Sequence, residues 1–187
     1  MGTFANFSGN TFASDSTVGV VAITNPSNAQ FTDASYATSL LLGGQISNYL
    51  KVTNFNFGVP SDATVTGVTV SITRHSTVGS TMNDDSIKLV KGGTISGNDK
   101  ATGTAWGTSD ATVTYGSSSD LWGLSLAPAD INASNFGVVV AATTALAATV
   151  DIDSVLISID YTGSNRYGNQ GARIKVGDGA SRSEVAN

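Results

Sequence analysis

The stretch Thr66-Gly67-Val68-Thr69-Val70-Ser71-Ile72-Thr73-Arg74 decides the fold class. Val68, Val70 and Ile72 fall on every second position, with Thr69, Ser71 and Thr73 between them. An α-helix would scatter that period around its axis, whereas a strand gathers it on one face. The stretch predicts a half-buried antiparallel strand. On its C-terminal side, Ile87 and Leu89 flank Lys88 in a second strand that Gly92-Gly93 closes as a turn. On its N-terminal side, Tyr49 to Phe57 alternates with a phase change between Val52 and Phe55, which predicts a bulge, and Ser39 to Leu42 is a short apolar run. Further on, Ala111 to Tyr115 and Leu121 to Leu124 read as strands, and Pro128-Ala129-Asp130-Ile131 reads as one helical turn with proline at its opening. Phe136 to Ala142 is apolar on both faces, as a central strand is, and Val155, Ile157, Ile159 and Tyr161 alternate again. About eight short strands with turn signals between them predict an all-β fold, an antiparallel β-sandwich of jelly-roll type with extended N- and C-terminal arms.

Composition agrees. Of 187 residues, 82 are Thr, Ser, Asn or Gly, and glutamate occurs once, at Glu184. Thr suits pleated surfaces and Gly, Asn and Ser suit turns, while the usual helix formers are scarce. A helical or alternating α/β domain is not expected on those grounds. There is no cysteine, so disulfides, thiolate metal sites and thiol nucleophiles are excluded too. A chain of this length has enough core to fold without such staples.

Charged residues make up only 12% of the chain, and their distribution is uneven. Residues 1–161 carry a net charge of −7 and residues 162–187 a net charge of +2. Three regions follow: an N-terminal arm or set of peripheral strands at 1–37, the sandwich at 38–162, and a Gly-rich basic C-terminal arm at 163–187. In the first, Phe4, Phe7 and Phe12 are candidate anchors onto a partner surface. In the last, Arg166, Arg173, Lys175 and Arg182 are candidates to pair with a partner's carboxylates. The neutral, hydroxyl-rich surface lacks the basic footprint of a nucleic-acid protein. No apolar run is long enough to span a bilayer, and the first basic residue is Lys51, so neither a membrane partner nor a signal peptide is expected.

Candidate chemistry is sparse. The one histidine, His75, ends a strand beside Ser76, without the G-x-S-x-G turn that would mark a nucleophile. Asp84, Asp85, Asp99, Asp120, Asp130, Asp151 and Asp153 are the carboxylates from which a glycosidase pair would have to come, and Asp151 and Asp153 share a strand face by alternation. Asn83-Asp84-Asp85-Ser86 and Asp151-x-Asp153 offer oxygens suited to Ca²⁺ but not the spacing of a calcium loop, and turn hydrogen bonding accounts for them more simply. No catalytic residue, metal site or cofactor is assigned. Trp106, Trp122 and Tyr115 are a candidate glycan-stacking platform, with burial in the core as the competing fate.

Several blocks in order carry a resemblance. Leu50 to Pro60, Gly67 to Val70, and Asp85-Ser86-Ile87-Lys88-Leu89-Val90-Lys91-Gly92-Gly93 form its first half. Tyr115-Gly116, Asp120 to Gly123, Pro128 to Asn132, Asn135 to Val138 and Asp153 to Tyr161 form its second. Over about residues 38–162 the chain resembles a β-sandwich domain that recurs in virion proteins of tailed bacteriophages and in prophage regions. The resemblance implies a structural or adhesive virion component, with no catalytic residues to carry over. The expected role is a capsid decoration (cement) protein on the phage head surface, made in the host cytoplasm and bound as a homotrimer to the major capsid protein or another virion protein. The alternative is a tail-fibre or tail-tip module that binds a cell-surface carbohydrate.

Overall fold

The structure, a computed structural model, describes residues 1–163. The decisive stretch lies inside β5, Thr64–Ser76, and its alternation is realised: Val68, Val70 and Ile72 are wholly buried. Four strands precede it: β1 (Gly2–Ser8), β2 (Thr11–Asp15), β3 (Ala37–Leu41) and β4 (Tyr49–Thr53). Five follow: β6 (Met82–Lys91), β7 (Thr94–Ser96), β8 (Ala111–Ser117), β9 (Gly137–Thr144) and β10 (Ala148–Thr162). A short 3-10 helix at Pro26–Gln30 precedes β3, and one α-helical turn, α1 (Pro128–Ile131), opens on its proline as expected.

Two five-stranded antiparallel sheets face each other, so the chain is an all-β sandwich. The first runs β1-β10-β5-β8, with β3 also pairing with the start of β10; the second runs β2-β4-β9-β6-β7. Strand β10, at fifteen residues, is the spine of the first sheet and pairs with β1, β3 and β5. Strand β9 is central in the second, and its Gly137–Ala142 run is buried on both faces, which is why it lacks alternation. One core fills the space between the sheets. A smaller apolar cluster of Tyr49, Val90, Val139 and Ala141 sits on the outer face of the second sheet, covered by Val18, Ile46 and Ile95.

Residues 2–15 complete both sheets, β1 on β10 and β2 on β4. They are peripheral strands rather than a free arm. Phe4 and Phe7 are three residues apart, a spacing that in a regular strand would send them to opposite faces. Asn6 adopts a left-handed φ of 56°, and the register against β10 slips between Phe4 and Phe7. This bulge lets both rings reach the sandwich: Phe4 stacks on Tyr161 at 5.7 Å and Phe7 meets Phe57 at 5.2 Å.

Two further expectations change. The phase change expected as a bulge near Val52 is the end of β4: Asn54 and Asn56 both turn left-handed, which keeps Phe55 and Phe57 buried in irregular chain. Leu121 to Leu124 is a turn instead of a strand. The Asp120 carboxylate accepts the Trp122 backbone N–H at 2.7 Å, and Trp122 and Gly123 take φ values of 57° and 70°. Among the described residues no helix is long and apolar enough to cross a membrane.

Candidate functional site

The three aromatic side chains proposed as a stacking platform are inside the protein. Trp106, Trp122 and Tyr115 are 1%, 0% and 3% exposed. No ring face is left for a sugar, and the stacking assignment is corrected on that ground. The Trp122 indole N–H donates to the Val68 carbonyl at 2.9 Å, which pins the Trp122 turn to the middle of β5.

Trp106 and Tyr115 belong to a buried polar clasp between the sheets. Alternation along β5 turns Arg74 inward, and Asp84 on β6 meets it at 3.1 Å, with both side chains almost fully buried. The Tyr115 hydroxyl donates to Asp84 at 2.9 Å and accepts from the Arg74 guanidinium at 2.9 Å. The Trp106 indole donates to Asp84 at 2.9 Å, and the Thr102 backbone N–H and hydroxyl both donate to it at 3.1 Å. The Arg74 guanidinium lies 4.2 Å from the centroid of the Trp106 ring. A carboxylate with this many donors is held as a charge acceptor and has no lone pair to lend to a substrate. Burial pushes the Tyr115 phenol far above its ordinary range.

His75 sits on the opposite, outer side of β5. Its ring Nδ1 is 2.8 Å from Asp110 and its Nε2 is 3.4 Å from Asp151. Both nitrogens face carboxylates, so neither is available to take a proton from a nucleophile. Ser76 is fully buried, with its hydroxyl on the Val78 carbonyl, and does not pair with His75.

The remaining aspartates hold local structure. Asp99 accepts from the Ser86 hydroxyl at 2.6 Å and from the backbone of Ile87 and Ala101. Although burial pushes its carboxyl up, these bonds and Lys88 hold it below the ordinary range. Asp130 caps α1 through the Ala127 N–H and pairs with Lys91; Asp120 pairs with Lys100. Asp153, 1% exposed, accepts the backbone N–H groups of Asp33 and Ala34. Asp85 falls at the β6 bulge, where burial and the neighbouring Asp99 push its carboxyl up. Among the described residues, no group of three or more His, Cys, Asp or Glu side chains is placed to hold a metal ion.

The proposed partner anchors divide in two. Phe4, Phe7 and Phe12 are half-buried and pack against the protein's own core, so what they anchor in this structure is the N-terminal strands. Arg166, Arg173, Lys175 and Arg182 lie outside the described residues. What the sequence reading missed is an apolar end. Leu40 and Leu42 on and after β3, Val78 in the β5–β6 turn, Leu146 in the β9–β10 turn and Val20 are all exposed. The hydrogen bonds of the chain bring their segments together: Gly44 N–H to Thr144 O, Thr77 N–H to Thr149 O, and Val20 N–H to Ile46 O. Val20, Leu42, Val78 and Leu146 lie outside the strands, where periodicity is silent, and Leu40 is on the outward position of β3. Open grooves also flank Lys51 on the second sheet, one of about 500 Å³ lined by Asp15, Thr17, Tyr49, Lys51, Thr94 and Ile95.

The fold and its polar clasp define the class, a hydroxyl-rich antiparallel β-sandwich. No family model, curated protein or solved structure matches the chain.

Proposed function

We propose that this chain is a structural protein of a tailed-phage virion, most simply a decoration protein that clamps the head shell. The observation that carries this reading is the apolar end formed by Val20, Leu40, Leu42, Val78 and Leu146, on a sandwich whose buried polar side chains are almost all bonded internally. Side chains of this kind are retained at a surface where they are covered by a partner. A filled sandwich with few charged side chains then contributes affinity through buried area, and a symmetric trimer on the shell multiplies that area. The order β3-β10-β5-β8 facing β4-β9-β6-β7 supports the jelly-roll form of this reading. Strands β3 to β6 pair in turn with β10 to β7, as one long hairpin rolled over on itself would pair them.

The basic segment after Gly163 has the opposite charge sign to the body and is the second proposed contact with the shell. The carbohydrate-binding alternative loses its aromatic platform, since the tryptophans are buried. The test is immunogold labelling of intact particles with antibody to the 187-residue chain, followed by occupancy on capsids of Leu40→Asp and Leu146→Asp variants. Regular labelling of the head, abolished by either aspartate, is the expected result. Labelling confined to the tail transfers the reading to adsorption, and unlabelled particles refute a virion role.

A further inference from the structure

We propose that Asp110, His75 and Asp151 form a proton-operated clasp that fastens residues 31–36 and the start of β3 to the first sheet. The register builds it. Asp151 on β10 lies directly opposite His75 on β5, and Arg74 opposite Ala111 places Asp110, one residue before β8, on the other flank of His75. Thr38 on β3 is the next position in the row, opposite Asp151. Tyr36 then folds over the row, its ring edge-on to the imidazole at 4.9 Å and its hydroxyl donating to Asp110 at 3.0 Å.

The valence of imidazole makes this arrangement sensitive to one proton. The charged ring carries two N–H groups and can donate to Asp110 and Asp151 together. The neutral ring carries one, and its other nitrogen then turns a lone pair toward a carboxylate oxygen. No cation compensates: among the described residues, Lys51, Arg74, Lys88, Lys91 and Lys100 pair with Asp15, Asp84, Asp99, Asp130 and Asp120 respectively. The groups facing His75 are Asp110 ahead of β8, Asp151 on β10 and Tyr36 in the covering segment, with Asp153 beyond them holding the backbone of Asp33 and Ala34. Burial already pushes the Asp151 carboxyl up, with the imidazole opposing and Asp110 adding to the rise. Asp110 is fixed by Tyr36 and by the shorter contact, so loss of the ring's second proton opens the Asp151 side. The covering segment then loses the backing of the Asp151 side and rests on the Tyr36–Asp110 bond, the Asn28 amide on the Tyr36 carbonyl, the bonds to Asp153 and the Thr32–Ser154 hydroxyl bond.

The test is amide hydrogen exchange on the full chain at about pH 5.5 and about pH 8.5, corrected for intrinsic rates. Protection at Asp33 and Ala34 is expected to fall about tenfold across that interval, the size of one charge-assisted hydrogen bond, while β2 amides on the other sheet stay unchanged. His75→Gln is expected to abolish the dependence. Equal wild-type protection at the two values overturns the proposal, and so does a His75→Gln protein that keeps the wild-type response. Should that variant not fold, Asp110→Asn replaces it: it retains an oxygen for the Tyr36 hydroxyl but removes one of the two charges, so the fall in protection moves to lower pH. A transition that does not move overturns the clasp.

Discussion

Asp84 takes hydrogen bonds from Thr102, Trp106 and Tyr115, and it is the ion-pair partner of the buried Arg74. Removing one partner of a buried ion pair strands the other, so Asp84→Ala is expected to cost about 3–5 kcal/mol in denaturant unfolding. A loss within about 1 kcal/mol would mean that Arg74 finds water and that the clasp does not join the sheets. Asp85, one residue on, behaves in the opposite sense. Its folded carboxyl is pushed up, so ionisation is penalised in the fold, and the penalty sets in as pH rises through the ordinary carboxylate range. Asp85→Asn should therefore stabilise the protein at neutral pH, by about 1–2 °C in Tm given its partial exposure, and should do nothing at pH 3. Gly137 marks a different constraint: a Cβ there would strike the Val52 carbonyl and the backbone of Thr53. Gly137→Ala is expected to cost about 3 kcal/mol by forcing β4 and β9 apart.

Among the elements, strands with regular alternation were legible in sequence: β5, the later part of β10, and β9 with two apolar faces. So was the helical turn opened by Pro128, because proline states its own φ. β1 was not, since Phe4 and Phe7 share a face only through the left-handed Asn6. The turn at Trp122 was hidden for a related reason: a run of leucines around a tryptophan reads as a strand, and only the Asp120 side chain makes it a turn. Of the site, the inward direction of Arg74 was implicit in the alternation, but the partner on β6 was not, because pairing between sheets leaves no trace in periodicity. The elemental prediction concerns β1. Phe7→Ala, which removes the ring packed on Phe57, is expected to cost about 2 kcal/mol and to raise exchange along β1 before any other strand. If exchange rises uniformly instead, β1 unfolds only with the whole sandwich.

For the whole molecule, the acid limit follows from three carboxyls held low. Bonds from Thr17 hold Asp15 below its ordinary range, the bond from Lys100 does so for Asp120, and bonds from Ser86 and the backbone do so for Asp99 against its burial. A depressed folded value contributes stability above the unfolded value and loses it as pH falls through the folded one. Thermal melts should therefore show Tm falling below about pH 4. A Tm that stays constant down to about pH 2 would show that these bonds persist in the unfolded chain.

Strand β10 has a mechanical meaning as well. It begins beside the apolar end, at the turn carrying Leu146, and runs fifteen residues to Gly163, where the basic segment leaves. A protein gripped at both places carries tension along β10, and the ladders to β1, β3 and β5 share the load in shear, many bonds at once. The start of β1 is loaded differently: Gly2 lies opposite Tyr161, so a pull between those two residues opens β1 like a zip, one bond at a time. The sandwich is thus stiff along the line joining its two proposed contacts and compliant where the start of β1 lies against the end of β10.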